Sequence, residues 1–214
     1  MIKIGGKINT SSNSSFPDGD EAEILLGKTA EQMVAQQHES LYSLAIRGKV
    51  FHGCSITPST IPITTTTSPT FILWNPRSSH INVVLIEYAV GWAAGTNVEG
   101  NIQLGIKRDV PSAISTGGEI SAVTDATVLN GLLGIGDVAH ARFGVAATIL
   151  AASVFYPLGM NIMVLDTAKA TPVDLKYRFY GALILRPGSA VFSCSSAATV
   201  ATYNERLSWY EFPI

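Results

Sequence analysis

The side chains in this chain that could do chemistry are four histidines, two cysteines and a scatter of carboxylates, and their spacing decides what is open to them. His38, His52, His80 and His140 stand alone, with no His-x-His, His-x-x-x-His or Cys-x-x-Cys pair. A bound metal wants its ligands clustered at such spacings, so neither a metal nor another cofactor is expected. Cys54 and Cys194 lie 140 positions apart. A disulfide scaffold would need more cysteines, and both read as small, buried, free thiols. No Gly-x-Ser-x-Gly elbow occurs, and Gly131-Leu-Leu-Gly134-Ile-Gly136 lacks both the dinucleotide spacing and the lysine of a phosphate loop. The cluster Asp18, Asp20, Glu21, Glu23 starts like a calcium loop but has no later ligands and no closing glutamate, so it reads as a solvated acidic stretch. Glu87 is the oddest acid, because its neighbours are apolar. It reads as an edge-facing or salt-bridged carboxylate rather than a catalytic acid, since a carboxylate without a partner does little. Lys107-Arg108 is the only adjacent basic pair outside any aromatic array and reads as a solvated strand end. The expectation is that the protein is not an enzyme.

Composition narrows the field further. The 214 residues carry 14 basic and 16 acidic side chains, a net charge of −2, which excludes a polybasic binder of nucleic acid or membrane. Only 14% of residues are charged and 47% are hydrophobic, against about a quarter charged in ordinary domains. Such a chain hides much of its surface, within itself or against other copies. Met1-Ile-Lys-Ile-Gly-Gly has no apolar h-region, and Ile2 stands where myristoylation would need a glycine, so synthesis in a cytoplasm is expected.

The elements follow from pattern. Residues 1–28 read as an extended polar and acidic arm. Residues 29–46 read as an amphipathic helix, capped by Thr29 with Gln32 and stopped at Gly48. Its stripe of Met33, Val34, Leu41 and Leu44 is the candidate partner contact, and it must bury itself on its own sheet or on a neighbouring subunit. Residues 49–69 read as a strand over 49–56 and a Thr/Pro-rich connector from Pro58 to Pro69. Strands are predicted at 71–74, 81–92, 98–108, 141–155, 160–166, 174–185, 189–195 and 200–211. In the second, alternation puts Val83, Leu85, Glu87, Ala89 and Gly91 on one face and Val84, Ile86, Tyr88, Val90 and Trp92 on the other. Residues 109–140 carry no assignable element. The uncharged run from Phe143 to Leu165 has the length of a membrane span, but Pro157, Gly159 and Asn161 break it into two strands joined by a turn. Many strands, one helix and no strand–helix alternation predict an all-β fold. The expectation is an antiparallel, jelly-roll-like β-sandwich over 70–214, preceded by the arm and helix of 1–48.

The stretch Leu183-Ile-Leu-Arg-Pro-Gly-Ser-Ala-Val-Phe192 through Arg206-Leu-Ser-Trp-Tyr-Glu211 resembles the closing strands of jelly-roll structural proteins of tailed bacteriophages. Phe71-Ile-Leu-Trp-Asn-Pro-Arg77 followed by Asn82-Val-Val-Leu-Ile86 is similar to the opening strands of phage head-region proteins. The two pieces cover about a quarter of the chain. The resemblance implies a virion structural protein, a capsid decoration or cement subunit that binds the major capsid protein as a homotrimer on the virion surface. Two rival readings are a trimeric tail-fibre or receptor-binding head domain and a lectin-like carbohydrate-binding module. The low charge fraction and the arm suit a subunit that grips its neighbours. Neither nucleic acid nor membrane is an expected partner.

Overall fold

The computed structural model describes residues 6–7, 21–22, 40–55, 57–63, 69, 71–96, 100–108, 120–133, 137–149, 154–162, 174–197 and 200–214. In chain order the elements are β1 (Gly6–Lys7), β2 (Glu21–Ala22), α1 (Ser40–Ile46), β3 (Val50–Cys54), β4 (Ile72–Asn75), β5 (Ile81–Ala94) and β6 (Gly100–Lys107). They continue with β7 (Ile120–Asp125), β8 (Val128–Asn130), β9 (Arg142–Ile149), β10 (Val154–Ile162), β11 (Asp174–Arg178), β12 (Ile184–Leu185), β13 (Ser189–Ser195) and β14 (Thr202–Pro213). All strand pairs within the sheets are antiparallel.

Two sheets form the sandwich. The front sheet runs β11-β5-β14-β3-β8, with β12 beside β5, and the back sheet runs β10-β6-β13-β4-β9-β7. Within them lie two four-strand sets, β3-β14-β5-β11 and β4-β13-β6-β10. Successive strands β3, β4, β5 and β6 alternate between the sheets, and β10, β11, β13 and β14 return between them. That order is a jelly roll, two interleaved Greek keys. β7, β8 and β9, inserted between β6 and β10, widen both sheets at the β3/β4 edge. The stretch 109–140 therefore contains strands its sequence does not announce: β8 has three residues, too few to display a period.

Five aromatic rings line up through the core. Tyr88 touches Phe71 at 5.7 Å between centroids, Phe71 meets Phe143 at 5.6 Å, Phe143 meets Trp209 at 6.2 Å, and Trp209 meets Phe51 at 6.1 Å. Strands of both sheets supply them, so this row locks one sheet to the other. Gly53 lacks a side chain for the same reason: a Cβ there would lie 2.6 Å from the Phe143 ring.

Several expectations are corrected by this packing. The sandwich begins at residue 50 rather than 70, because Phe51 and Ile61 are fully buried in its core. The Thr/Pro connector is partly built in. Ser59 exchanges backbone bonds with Tyr203, and the Ser195 amide donates to Pro62 at 2.7 Å, so residues 59–62 cross one end of the sandwich from sheet to sheet. The Pro157–Gly159 break is a bulge inside β10 that sends Leu158 into the core, not a turn between strands. β9 and β10 are separated by three strands of the back sheet. In β5 the alternation changes phase. Ile81, Val83 and Leu85 point inward, and so do Tyr88 and Val90, because the register skips Ile86 opposite Ser208 and Trp209.

α1 ends as expected. Gly48 sits at φ 67, its amide donates to Ala45, and the Lys49 amide donates to Leu44. That bond pair is a Schellman cap. Residues 29–39 of the predicted helix lie outside the described residues, as does the arm apart from the β1–β2 pairing. Among the described residues no helix is long and apolar enough to cross a membrane.

Candidate functional site

The outer face of the front sheet is organised in cross-strand rows. Register places Leu129 of β8, His52 of β3, Ser208 of β14, Glu87 of β5 and Arg178 of β11 side by side. The next row holds Cys54, Arg206, Ala89 and Lys176, and the row on the other side holds Val50, Tyr210, Val84 and Ile184. α1 lies over the junction of these rows. Leu41, Leu44 and Ala45 face two adjoining grooves of about 470 and 300 Å³ that share Leu41, Ile86 and Glu87. The larger is also lined by Arg178, Tyr180, Gly181 and Tyr210, the smaller by Val50, His52, Arg206 and Ser208.

Charge is concentrated at Glu87. Arg178 donates to one carboxylate oxygen at 3.3 Å and Arg206 pairs with the other. Glu87 is thus salt-bridged, but it sits within the sheet rather than at an edge. Two guanidiniums on one carboxylate leave this trio with one positive charge in excess, and the exposed Lys176 stands in the next row. His52 shares a hydrogen bond of 2.9 Å with Ser208 Oγ. Its pKa is lowered, by burial first and by the Arg206 charge second, while Glu87 pulls it the other way. A histidine, a serine and a glutamate in one row suggest hydrolytic parts. Yet both Glu87 oxygens are held by guanidiniums, and Ser208 is only 6% exposed. The row ties four strands together.

A strained turn stands at the rim of the larger groove. β11 and β12 both pair with β5, and between them Phe179–Ala182 leaves the sheet opposite the Ile86 bulge. The Ala182 amide closes the turn on the Phe179 carbonyl at 2.8 Å, with φ 50 at Tyr180 and 78 at Gly181. Two successive positive φ values mark a type I′ turn, whose first position favours Asn, Asp or Gly. A tyrosine there costs on the order of 1–2 kcal/mol of backbone strain. Tyr180 nevertheless stands 86% exposed.

Of the predicted contact residues, Leu41 and Leu44 come together on this face, with Leu41 38% exposed and Leu44 half-buried. Met33 and Val34 lie outside the described residues. His80 adopts φ 55 at a β5 turn, and His140 rests on Glu211. Among the described residues no three His, Cys, Asp or Glu side chains gather to hold a metal. Lys107 is buried rather than solvated, and Cys54 is exposed rather than buried. Neither reversal has a local sequence signal, because each depends on which neighbouring strand shields the position.

Two carboxylates of β14 are inside: Glu205, which the sequence did not single out, and Glu211, which its alternation puts on one face with Leu207 and Trp209. Glu205, 1% exposed, accepts from the Tyr88 hydroxyl at 2.7 Å and from Ser193 Oγ at 3.0 Å, bridging the two sheets. Burial, and then the neighbouring Glu205 charge, push the Tyr88 pKa well above its ordinary value, so Tyr88 remains a donor. Glu211, 3% exposed, accepts from the amides of His140 and Ala141 and from the His140 ring, pinning the approach to β9. The same parity along β14 is the signal that could have found Glu205.

No protein-family model, characterised protein or solved structure matches this chain.

Proposed function

We propose that the chain is a virion structural protein, a jelly-roll capsid decoration subunit that sits on the head shell as a trimer. The single observation that supports the reading best is the strand order, β3-β14-β5-β11 against β4-β13-β6-β10. Virion shell proteins and lectins use this architecture. Because one fold hosts many functions, the surface carries the rest of the argument. A stacking platform for sugars wants exposed indoles, but Trp74 and Trp209 are at most 1% exposed and Trp92 is half-buried against the core. The front face combines a charged row with exposed apolar side chains, a combination suited to a protein contact rather than to turnover. No catalytic role is assigned to the Ser208–His52 pair.

The test is co-sedimentation of the purified chain with emptied, expanded heads of the virus whose genome carries it, alongside light scattering in solution. Saturable binding in multiples of three, with a solution mass near three times 22.7 kDa, is the expected result. Binding to host cells in place of heads would transfer the chain to the receptor-binding apparatus. Saturable sugar binding with tryptophan quenching would make it a lectin.

A further inference from the structure

We propose that the larger groove beneath Tyr180 is a self-association site that receives the acidic–apolar stretch Asp18–Leu26 of a second copy. The inference rests on the reading of the chain as a self-associating subunit, and it names the surfaces that meet.

Three observations converge on the groove. First, the turn is chosen against its own backbone preference. Tyr180 stands where asparagine or glycine would be relaxed, at φ 50, and presents 86% of its surface to solvent. Strain held at an exposed aromatic marks a contact rather than a packing need. Second, the apolar surface is continuous here. Leu41 and Tyr180 line the groove, Ile184 lies beside Val84 in the adjoining row, and Phe212 follows Tyr210 on the same face. Ile184 is 52% and Phe212 57% exposed. Third, the charge is one-sided. Arg178 and Arg206 share only Glu87, and the Arg178 side chain is 67% exposed, free to turn its remaining donors outward.

The chain contains one segment complementary to all of this, and its described part, Glu21–Ala22, keeps its pairing with Gly6–Lys7 when it docks. Asp18, Asp20, Glu21 and Glu23 put four carboxylates within six residues, and Ile24, Leu25 and Leu26 follow with no basic residue between. A carboxylate of this stretch meets the Arg178 rim. The aliphatic run Ile24, Leu25 and Leu26 after it supplies side chains for the 470 Å³ space between Leu41, Leu44 and Ile86. Tyr180 closes over the top. Four acids against a face that carries Arg178, Arg206 and Lys176 around the one Glu87 also make the contact salt-sensitive.

The experiment uses the full-length chain, with sedimentation velocity across a concentration series and melting followed in parallel. Tyr180→Asn relaxes the turn, so melting should hold or rise while the self-association constant weakens at least tenfold. Arg178→Glu should weaken it further, and the combined reversal D18K/D20K/E21K/E23K in the same chain as Arg178→Glu should recover most of the loss. A wild-type chain that is monomeric throughout, or variants that associate as tightly as wild type, would overturn the proposal. So would Tyr180→Asn weakening only head-shell binding, because the shell protein would then fill the groove. Association that follows these changes in a chain that ignores head shells would overturn the virion reading and leave this site standing.

Discussion

Each sheet carries one cysteine on its outer face, and the two cysteines occupy opposite environments. Cys54 lies on the front face beside Arg206, exposed among charges. Cys194 lies on the back face of β13 and is fully buried, its thiol donating to the Gln103 carbonyl at 3.6 Å. Burial pushes its pKa up to about 12. Around it, Ile72, Trp74, Ala190 and Phe192 also point away from the core and are buried. Arg142 over the Trp74 ring at 5.1 Å, and the Phe192 ring against Gly105, supply part of that cover. One outer face is kept dry and the other wet. Over Ile72–Trp74 and Ala190–Cys194 the back sheet is therefore buried on both faces.

Thiol chemistry gives the sharpest break. Cys54 should react with an aromatic disulfide at once, and Cys194 only through unfolding, slower by roughly a thousandfold or more. Stopped-flow thiol release in buffer and in denaturant reads both. Two equal fast phases would show the back face to be open.

Phe192→Ala comes next. It empties a fully buried site and should cost about 3–5 kcal/mol in urea unfolding. Gly105→Val should fail similarly, since a Cβ there falls 2.4 Å from the Phe192 ring. A loss below 1 kcal/mol would mean the back face is loosely covered.

Between the faces, Glu205→Gln keeps the shape but replaces the charged acceptor of Tyr88 and Ser193. The expected loss is about 1–3 kcal/mol. An unchanged urea midpoint would deny that the carboxylate couples the sheets.

The front face should respond least. Glu87→Gln breaks two exposed ion pairs and should change stability by less than about 1 kcal/mol. It should also lower the His52 pKa further, because Glu87 is the group that raises it. Since the folded pKa of His52 already lies below 6.5, the stability contributed by its neutral ring is complete above that pH. It drains away as pH falls below 6.5 toward the folded value. His52→Gln should flatten that part of the stability–pH curve, and an unaltered slope would put the titrating group elsewhere.

The strands with clear alternation were legible because a half-buried strand writes its two faces directly into sequence. β14 did so with Tyr203, Leu207 and Trp209, and β6 with Ile102 and Leu104. The turns at Gly48 and at Arg186–Ser189 were legible too, since the first needs φ 67 and the second places Gly188 at φ 83. β13 shows no alternation, being buried on both faces from Ala190 to Ser195, yet the strand predicted at 189–195 is the one observed. Of the candidate site, only Leu41, Leu44 and the oddity of Glu87 could be read in advance.

The sequence by itself determined an all-β chain with one helix ending at Gly48, few charges and strands of definite period, because those properties depend on neighbours two to four residues away. Only the tertiary structure decided where β5 changes phase, which acids go inside and what Glu87 is for. A bulge shifts parity without changing composition. A buried carboxylate is tolerated only when partners such as Tyr88 and Ser193, 117 and 12 positions distant, arrive to donate to it. The row of His52, Ser208, Glu87 and Arg178 exists because four strands, scattered along the chain, reach a common register.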